Sequence, residues 1–248
     1  MTHPDREPLD DLAQGFVDQL TAAGTHEQAV PERFAFSTEV RGTELSLHPR
    51  LYVGDEIAYA RVTRLDGGPN AQVLNIVAVP RLATTLPILG VELLSFVKGV
   101  HLVVFDFYPT ETPDSPLQEE LSETKKQLGD DFDLEPRPDW GESVFSEASI
   151  IIRPGARSST RATAFADRLA RLLKTYVKAV AHYGAQPIVG VEARRRRRAH
   201  YLHTQSHEEP GRDYLARLKG DEWVESFAHE FLYPDWLHAG DRVPPWLE

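Results

Sequence analysis

The spacing of apolar residues along this chain changes near residue 30 and again near residue 155. Over residues 7–24, EPLDDLAQGFVDQLTAAG, Leu9, Leu12, Phe16 and Leu20 fall at helical spacing, which predicts an amphipathic helix. The period then shortens. RFAFSTEVRG, TELSLHP, EIAYARVTRLDGG, AQVLNIVAVP, LGVELLSFV and VHLVVFDFYP are short runs rich in β-branched and aromatic residues, separated by Gly, Pro or Asn, and they read as strands. The connections RGT, DGGPN and VKGV are tight, so successive strands are expected to run antiparallel as a meander. SPLQEELSETKKQLG, residues 115–129, reads as a solvated helix, and SVFSEASIIIRP as a seventh strand. From about residue 158 the helical period returns in SSTRATAFADRLARLLKTYVKAVAHYG, PIVGVEARRRRRAHYLHTQ and GRDYLARLKGDEWVESFAHEFLYPDWL, the last holding two short helices. Strands flanked by helices before and after predict an α+β fold: a three-layer α/β/α sandwich around a mostly antiparallel sheet of about seven strands. Residues 1–248 are expected to form one domain, with an N-terminal helix in 1–30, mostly sheet in 31–153 and mostly helix in 154–248.

Composition narrows the chemistry. The chain has 248 residues and no cysteine, so disulfides, thiolate metal sites, cysteine-ligated iron–sulfur clusters and cysteine nucleophiles are excluded. Its longest apolar runs are far short of the roughly 20 residues of a membrane helix, and the polar N-terminus lacks a signal-peptide core; a cytoplasmic location and no membrane association are expected. A net charge of -11 argues against nucleic-acid binding. No nucleotide-phosphate loop, HExxH or GxSxG motif is present, and no metal site is expected.

Four features stand out against this background. HLVVFDFYP carries Asp106 in a strand whose two faces are otherwise largely apolar. Such a carboxyl group is either structural, held by an Arg or a backbone N–H, or an acid whose pKa is raised by its apolar surroundings. The preceding hairpin, turning at Val97–Gly99, puts Leu89 opposite Asp106 to within a residue or two. Asn75 sits mid-strand in VLNIV, where Asn is depleted; it is a satisfied core amide or part of a pocket. HTQSHEEPGRD, with His207 and Glu209, reads as a polar loop between helices. The run Arg194 to Arg198 reads as a solvated helix face or a docking surface for acidic groups.

Three stretches in order carry a resemblance: VLNIVAVPRLATTLPILGVELLSFVKGVHLVVFDFYP, then WGESVFSEASIIIRP, then LKGDEWVESFAHEFLY. Over roughly residues 30–235 the chain resembles the ferredoxin-dependent bilin reductases. The resemblance implies an α/β/α sandwich that reduces biliverdin IXα, an open-chain tetrapyrrole. Electrons would come singly from a [2Fe–2S] ferredoxin, with no cofactor on the chain itself, and a monomer would be usual. It implies catalytic roles for Asp106 and for Glu209, the latter where many members have Asp. It implies bilin-binding positions at Asn75 and at Arg153, whose guanidinium suits a propionate, with His207 and Arg212 as flanking candidates. Phycocyanobilin-forming members carry a Glu two residues after the Asn75 position and a His across the hairpin from Asp106; here those positions read Val77 and Leu89. The resemblance therefore points to phycoerythrobilin by way of 15,16-dihydrobiliverdin. A stop at 15,16-dihydrobiliverdin, phycocyanobilin formation, another linear tetrapyrrole as substrate and a non-enzymatic tetrapyrrole carrier are the alternatives. The Arg194 to Arg198 run would serve ferredoxin docking.

Overall fold

The tight connections between the predicted strands yield a meander. In the computed structural model, which describes residues 2–111, 115–154, 160–182, 190–209, 211–242 and 244–247, the strands form one antiparallel sheet. They are β1 (His26–Gln28), β2 (Phe36–Val40), β3 (Thr43–Val53), β4 (Ile57–Asp66), β5 (Ala71–Pro80), β6 (Ile88–Phe96), β7 (Gly99–Tyr108) and β8 (Ile150–Ile152). The order is β1-β3-β4-β5-β6-β7-β8, with β2 also paired to β3. Strand β1, HEQ, has no apolar pattern and was invisible in the sequence. The pattern also ended β3 at Pro49, yet the strand continues to Val53. Pro49 falls between the stretch of β3 that pairs β2 and the stretch that pairs β1, where a missing N–H breaks no ladder bond on that edge. The predicted seventh strand is cut to Ile150–Ile152; the residues before it form turns.

The helices cover both faces. On one side lie α1 (Arg6–Ala22), α2 (Pro116–Gly129) and α3 (Thr163–His182). Ser115 caps α2 by accepting from the Gln118 N–H at 3.3 Å, with Pro116 at the first turn, a favourable start for a helix. These helices bury Leu9, Phe16, Leu121, Phe165 and Leu169 against the outward alternation of the strands, including Leu89, Val91, Phe105 and Phe107. On the other side lie α4 (Val191–Glu208), α5 (Arg212–Lys219), α6 (Asp221–Ser226) and a π-helical turn, Phe227–Leu232. A second core forms there from Tyr59, Val77, Val79, Ile88, Tyr108, Tyr201, Leu202, Phe227 and Phe231. Because side chains alternate along a strand, each strand feeds both cores. The three-layer arrangement follows from that alternation.

Candidate active site

Two rows of side chains cross the sheet beneath α4. The register aligns Arg61, Val77, Gly90 and Asp106 on β4, β5, β6 and β7, and next to them Thr63, Asn75, Glu92 and Val104. These rows floor an open cleft with a mostly apolar lining and a few convergent polar groups, the usual make-up of a small-molecule site. Helix α4 forms the ceiling through Tyr201 and Gln205, followed by Glu209 just past its end. The spacing of four puts all three on one helical face. Trp140 and Phe145 close one side and Tyr233 another.

Asp106 is 2% exposed. Ser146 satisfies both of its oxygens, donating the backbone N–H at 2.9 Å and the hydroxyl at 2.5 Å. Burial nevertheless pushes the carboxyl group up to about 6, the Ser146 hydrogen bonds opposing the shift. The structural and the acidic readings of Asp106 therefore meet in one group: it is held by a backbone N–H, and it binds its proton more tightly than an exposed Asp.

Asn75 is oriented from below. Arg61, fully buried, donates from Nη1 to Asn75 Oδ1 at 2.7 Å and from Nε to the Leu232 carbonyl at 2.7 Å, and its guanidinium lies 5.0 Å from the Tyr233 ring centre. Because Arg has only donors, the Asn75 carbonyl must face it, which leaves the amide N–H groups for the cleft. The π-helical turn supplies the carbonyls that Arg61 and Tyr59 use: Tyr59 donates to Phe231 and Arg61 to Leu232.

Glu209 accepts from the Tyr233 hydroxyl at 2.8 Å and from the Gly211 N–H at 3.4 Å. Burial and the neighbouring Glu209 charge hold the Tyr233 hydroxyl well above its ordinary range. Glu92 lines the cleft half-buried, and desolvation first, then the Glu209 charge, raises its carboxyl group to about 8, against the pull of Arg61 and Arg153. Sequence reasoning missed Glu92. On β6 it alternates with apolar neighbours like any half-exposed strand residue, and only the register shows it diagonal to Asp106, a spacing of about 7–8 Å in an antiparallel pair.

The structure brings Asp106, Asn75, Val77, Arg153 and Glu209 to one cleft. It does not bring Leu89. From the turn, Phe96 pairs Gly99 and Ser95 pairs Val100, but a bulge then shifts the register, and Leu94 pairs Leu102. Gly90, not Leu89, consequently faces Asp106, and Leu89 is buried in the core under α1, α2 and α3. A Cβ on Gly90 would meet the Tyr201 hydroxyl at 3.0 Å, so a helix-borne group occupies the space where a strand side chain would stand. His207 and Arg212 also lie outside the cleft lining. The expected polar loop is mostly the end of α4, so His207 packs on His203 and His229. Arg212 donates to the Ser206 carbonyl at 2.5 Å and pairs with Glu225.

The arginine run is divided by the helical period. Arg194 and Arg198, four apart, turn inward and are 2% and 1% exposed. Arg194 donates to the Leu82 carbonyl at 2.7 Å and pairs with Glu111; Arg198 pairs with Asp241 at 2.5 Å. Neither is part of a basic surface. Arg196 and Arg197 are exposed, and Arg195 and Arg196 reach Glu192 at 3.0 and 3.8 Å. Among the described residues no cluster of His, Asp and Glu is arranged to hold a metal ion, and no described helix is long and apolar enough to cross a membrane.

A sheet-floored cleft, roofed by a helix and lined by carboxyl groups of raised proton affinity, has the make-up of a small-molecule site. The family model for ferredoxin-dependent bilin reductases matches residues 13–234, and the chain belongs to that family; it is a ferredoxin-dependent bilin oxidoreductase. It is 30% identical over 207 residues to a phycoerythrobilin:ferredoxin oxidoreductase of Gloeobacter violaceus, covering 78% of this chain and 81% of that protein. It is 28% identical over 243 residues to a 15,16-dihydrobiliverdin:ferredoxin oxidoreductase of the same organism, covering 95% and 96%. Its fold matches that of tomato phytochromobilin synthase, solved in complex with biliverdin, with a TM-score of 0.66 at 16% identity over 90% of this chain and 82% of that one.

Proposed function

We propose that this chain reduces biliverdin IXα to phycoerythrobilin by way of 15,16-dihydrobiliverdin, with electrons delivered singly by reduced ferredoxin. The observation that carries the reading is the floor of the cleft. Asp106 stands in one row with Gly90 and Val77, without the His and the Glu that the resemblance gives to phycocyanobilin-forming members at the Leu89 and Val77 positions, and a carboxyl pair, Glu92 and Glu209, lines the same cavity. Relatives named for each of the two ferredoxin-dependent reductions and a neighbour that binds biliverdin support it.

The chain's own contribution is binding, orientation and protonation. Arg153 at the cleft edge offers a planar fork for a propionate. The Asn75 amide, fixed by Arg61, donates to a ring carbonyl. Asp106 gives the first proton: adding an electron to a neutral pigment builds negative charge, and a positioned acid discharges it. Protons for the second step come from the carboxyl pair, of which Glu209 is the member the resemblance singles out. Ferredoxin docks beside the cleft, with Arg195, Arg196 and Arg197 as the basic contribution of α4. The enzyme works as a cytoplasmic monomer.

Anaerobic incubation with biliverdin, ferredoxin and a reducing system, with products separated by chromatography, tests the assignment. Phycoerythrobilin is the expected end product; phycocyanobilin or an end at 15,16-dihydrobiliverdin overturns it. An unchanged biliverdin spectrum after reduction would indicate a carrier. Asp106→Asn is expected to keep biliverdin binding and to slow the first reduction by about 100-fold or more; full turnover by that variant removes Asp106 from the mechanism.

A further inference from the structure

Glu92 is the one acid of the cleft that the family resemblance does not assign. It stands on β6 in the row of Thr63, Asn75 and Val104, diagonal to Asp106 and on the same face. No described residue hydrogen-bonds its carboxyl group, whereas both oxygens of Glu209 face donors, Tyr233 Oη–H and Gly211 N–H. Acceptor-only hydrogen bonding suits an ionised carboxylate, and two carboxyl groups in one cavity do not both ionise readily. The proton of the pair therefore belongs on Glu92, with Glu209 as the anchored negative neighbour.

We propose that Glu92 is the proton donor of the second reduction and that Glu209 acts by keeping Glu92 protonated. The inference deepens the bilin-reductase reading and rests on it. In the step, reduced ferredoxin supplies an electron to the dihydro-pigment, the Glu92 O–H bond breaks, and its proton forms a new C–H bond on the pigment. A second reduced ferredoxin supplies the second electron and solvent at the cleft mouth the second proton, which completes the two-electron, two-proton reduction, and solvent then returns a proton to the Glu92 carboxylate. The groups facing Glu92 set its range: Glu209 and Tyr201 from the α4 side, Asp106 from β7, Arg61 from β4, Arg153 after β8, and Tyr233. Burial and Glu209 raise its proton affinity and the two arginines lower it, for a balance at about 8, so Glu92 holds its proton more tightly than an exposed Glu.

The test compares Glu92→Gln with Glu209→Gln in anaerobic turnover over a range of pH, after biliverdin binding has been verified by absorbance. Glu92→Gln is expected to accumulate the first two-electron product at every pH, the second step slowed about 100-fold or more. Glu209→Gln is expected to retain the second step in acid and to lose it at a lower pH than wild type, because the negative neighbour is gone. A wild-type product ratio from Glu92→Gln overturns the proposal, as does loss of the second step at every pH in Glu209→Gln alone. If wild type itself stops after two electrons, the product assignment above fails, and infrared spectroscopy of the biliverdin complex decides the status of Glu92. A carboxylic-acid C=O band at neutral pH that disappears in Glu92→Gln and survives in Asp106→Asn identifies Glu92 as the stored acid. A band unaffected by Glu92→Gln overturns that role.

Discussion

Ser146 reaches both oxygens of Asp106, through the amide and the hydroxyl. Ser146→Ala removes only the hydroxyl. A hydrogen bond to a charged group is worth about 1.5–3 kcal/mol, or roughly 1–2 pKa units, so the Asp106 carboxyl group should rise further from about 6. The acid-dependent limb of the first reduction should move to higher pH in a pH–rate profile. An unmoved limb would place the rate-determining proton elsewhere. The same burial has a thermodynamic sign. Because the folded pKa lies above the unfolded one, the fold gains stability from this group below about pH 4 and loses it as pH rises through about 6. The amount is about 3 kcal/mol for roughly two units. Asp106→Asn, which can still accept the Ser146 N–H and donate to its hydroxyl, should abolish that slope and melt later than wild type at alkaline pH; thermal melts at several pH values check it. Asp106 was legible in the sequence because an acid interrupts an apolar strand. Glu92 was not, because a Glu in an alternating strand looks solvated until the register shows what covers it.

At the scale of elements, the meander and most helices were legible from period and punctuation, and the departures have local causes. The β6–β7 turn carries Gly99 at φ +114°, but the bulge just beyond it has no signature in the sequence, and one extra residue moved the partner of Asp106 from Leu89 to Gly90. On α4 five consecutive arginines hide the helical period: with no apolar residue to mark a face, nothing in the run shows that positions 194 and 198 turn inward. Their roles should separate by substitution. Arg198→Ala leaves Asp241 without its cation and should cost about 3 kcal/mol or more in denaturant melts, the scale of a broken buried pair. Arg196→Gln together with Arg197→Gln should leave stability within about 0.5 kcal/mol. The double variant should nevertheless weaken the apparent affinity for ferredoxin at low salt and converge with wild type as salt rises. An affinity unchanged at low salt would make that face a solvated surface only.

Across the whole molecule, one sheet serves two cores, one under α1, α2 and α3 and another shared between packing and the cleft. The sheet is pinned by its ladders, so the floor residues are fixed in relation to one another. The ceiling belongs to α4, whose position is set at its other end: Arg194 ties it to Glu111 and the Leu82 carbonyl, and Arg198 to Asp241, which also accepts the Leu82 N–H at 2.9 Å. These contacts lie outside the cleft, yet they fix how far Tyr201, Gln205 and Glu209 stand above the sheet. Colour becomes a gauge of that clearance, since the absorption of an open-chain tetrapyrrole follows the twist between its rings. Arg198→Lys, which keeps the charge but not the fork, should shift the spectrum of bound biliverdin before it slows any proton transfer.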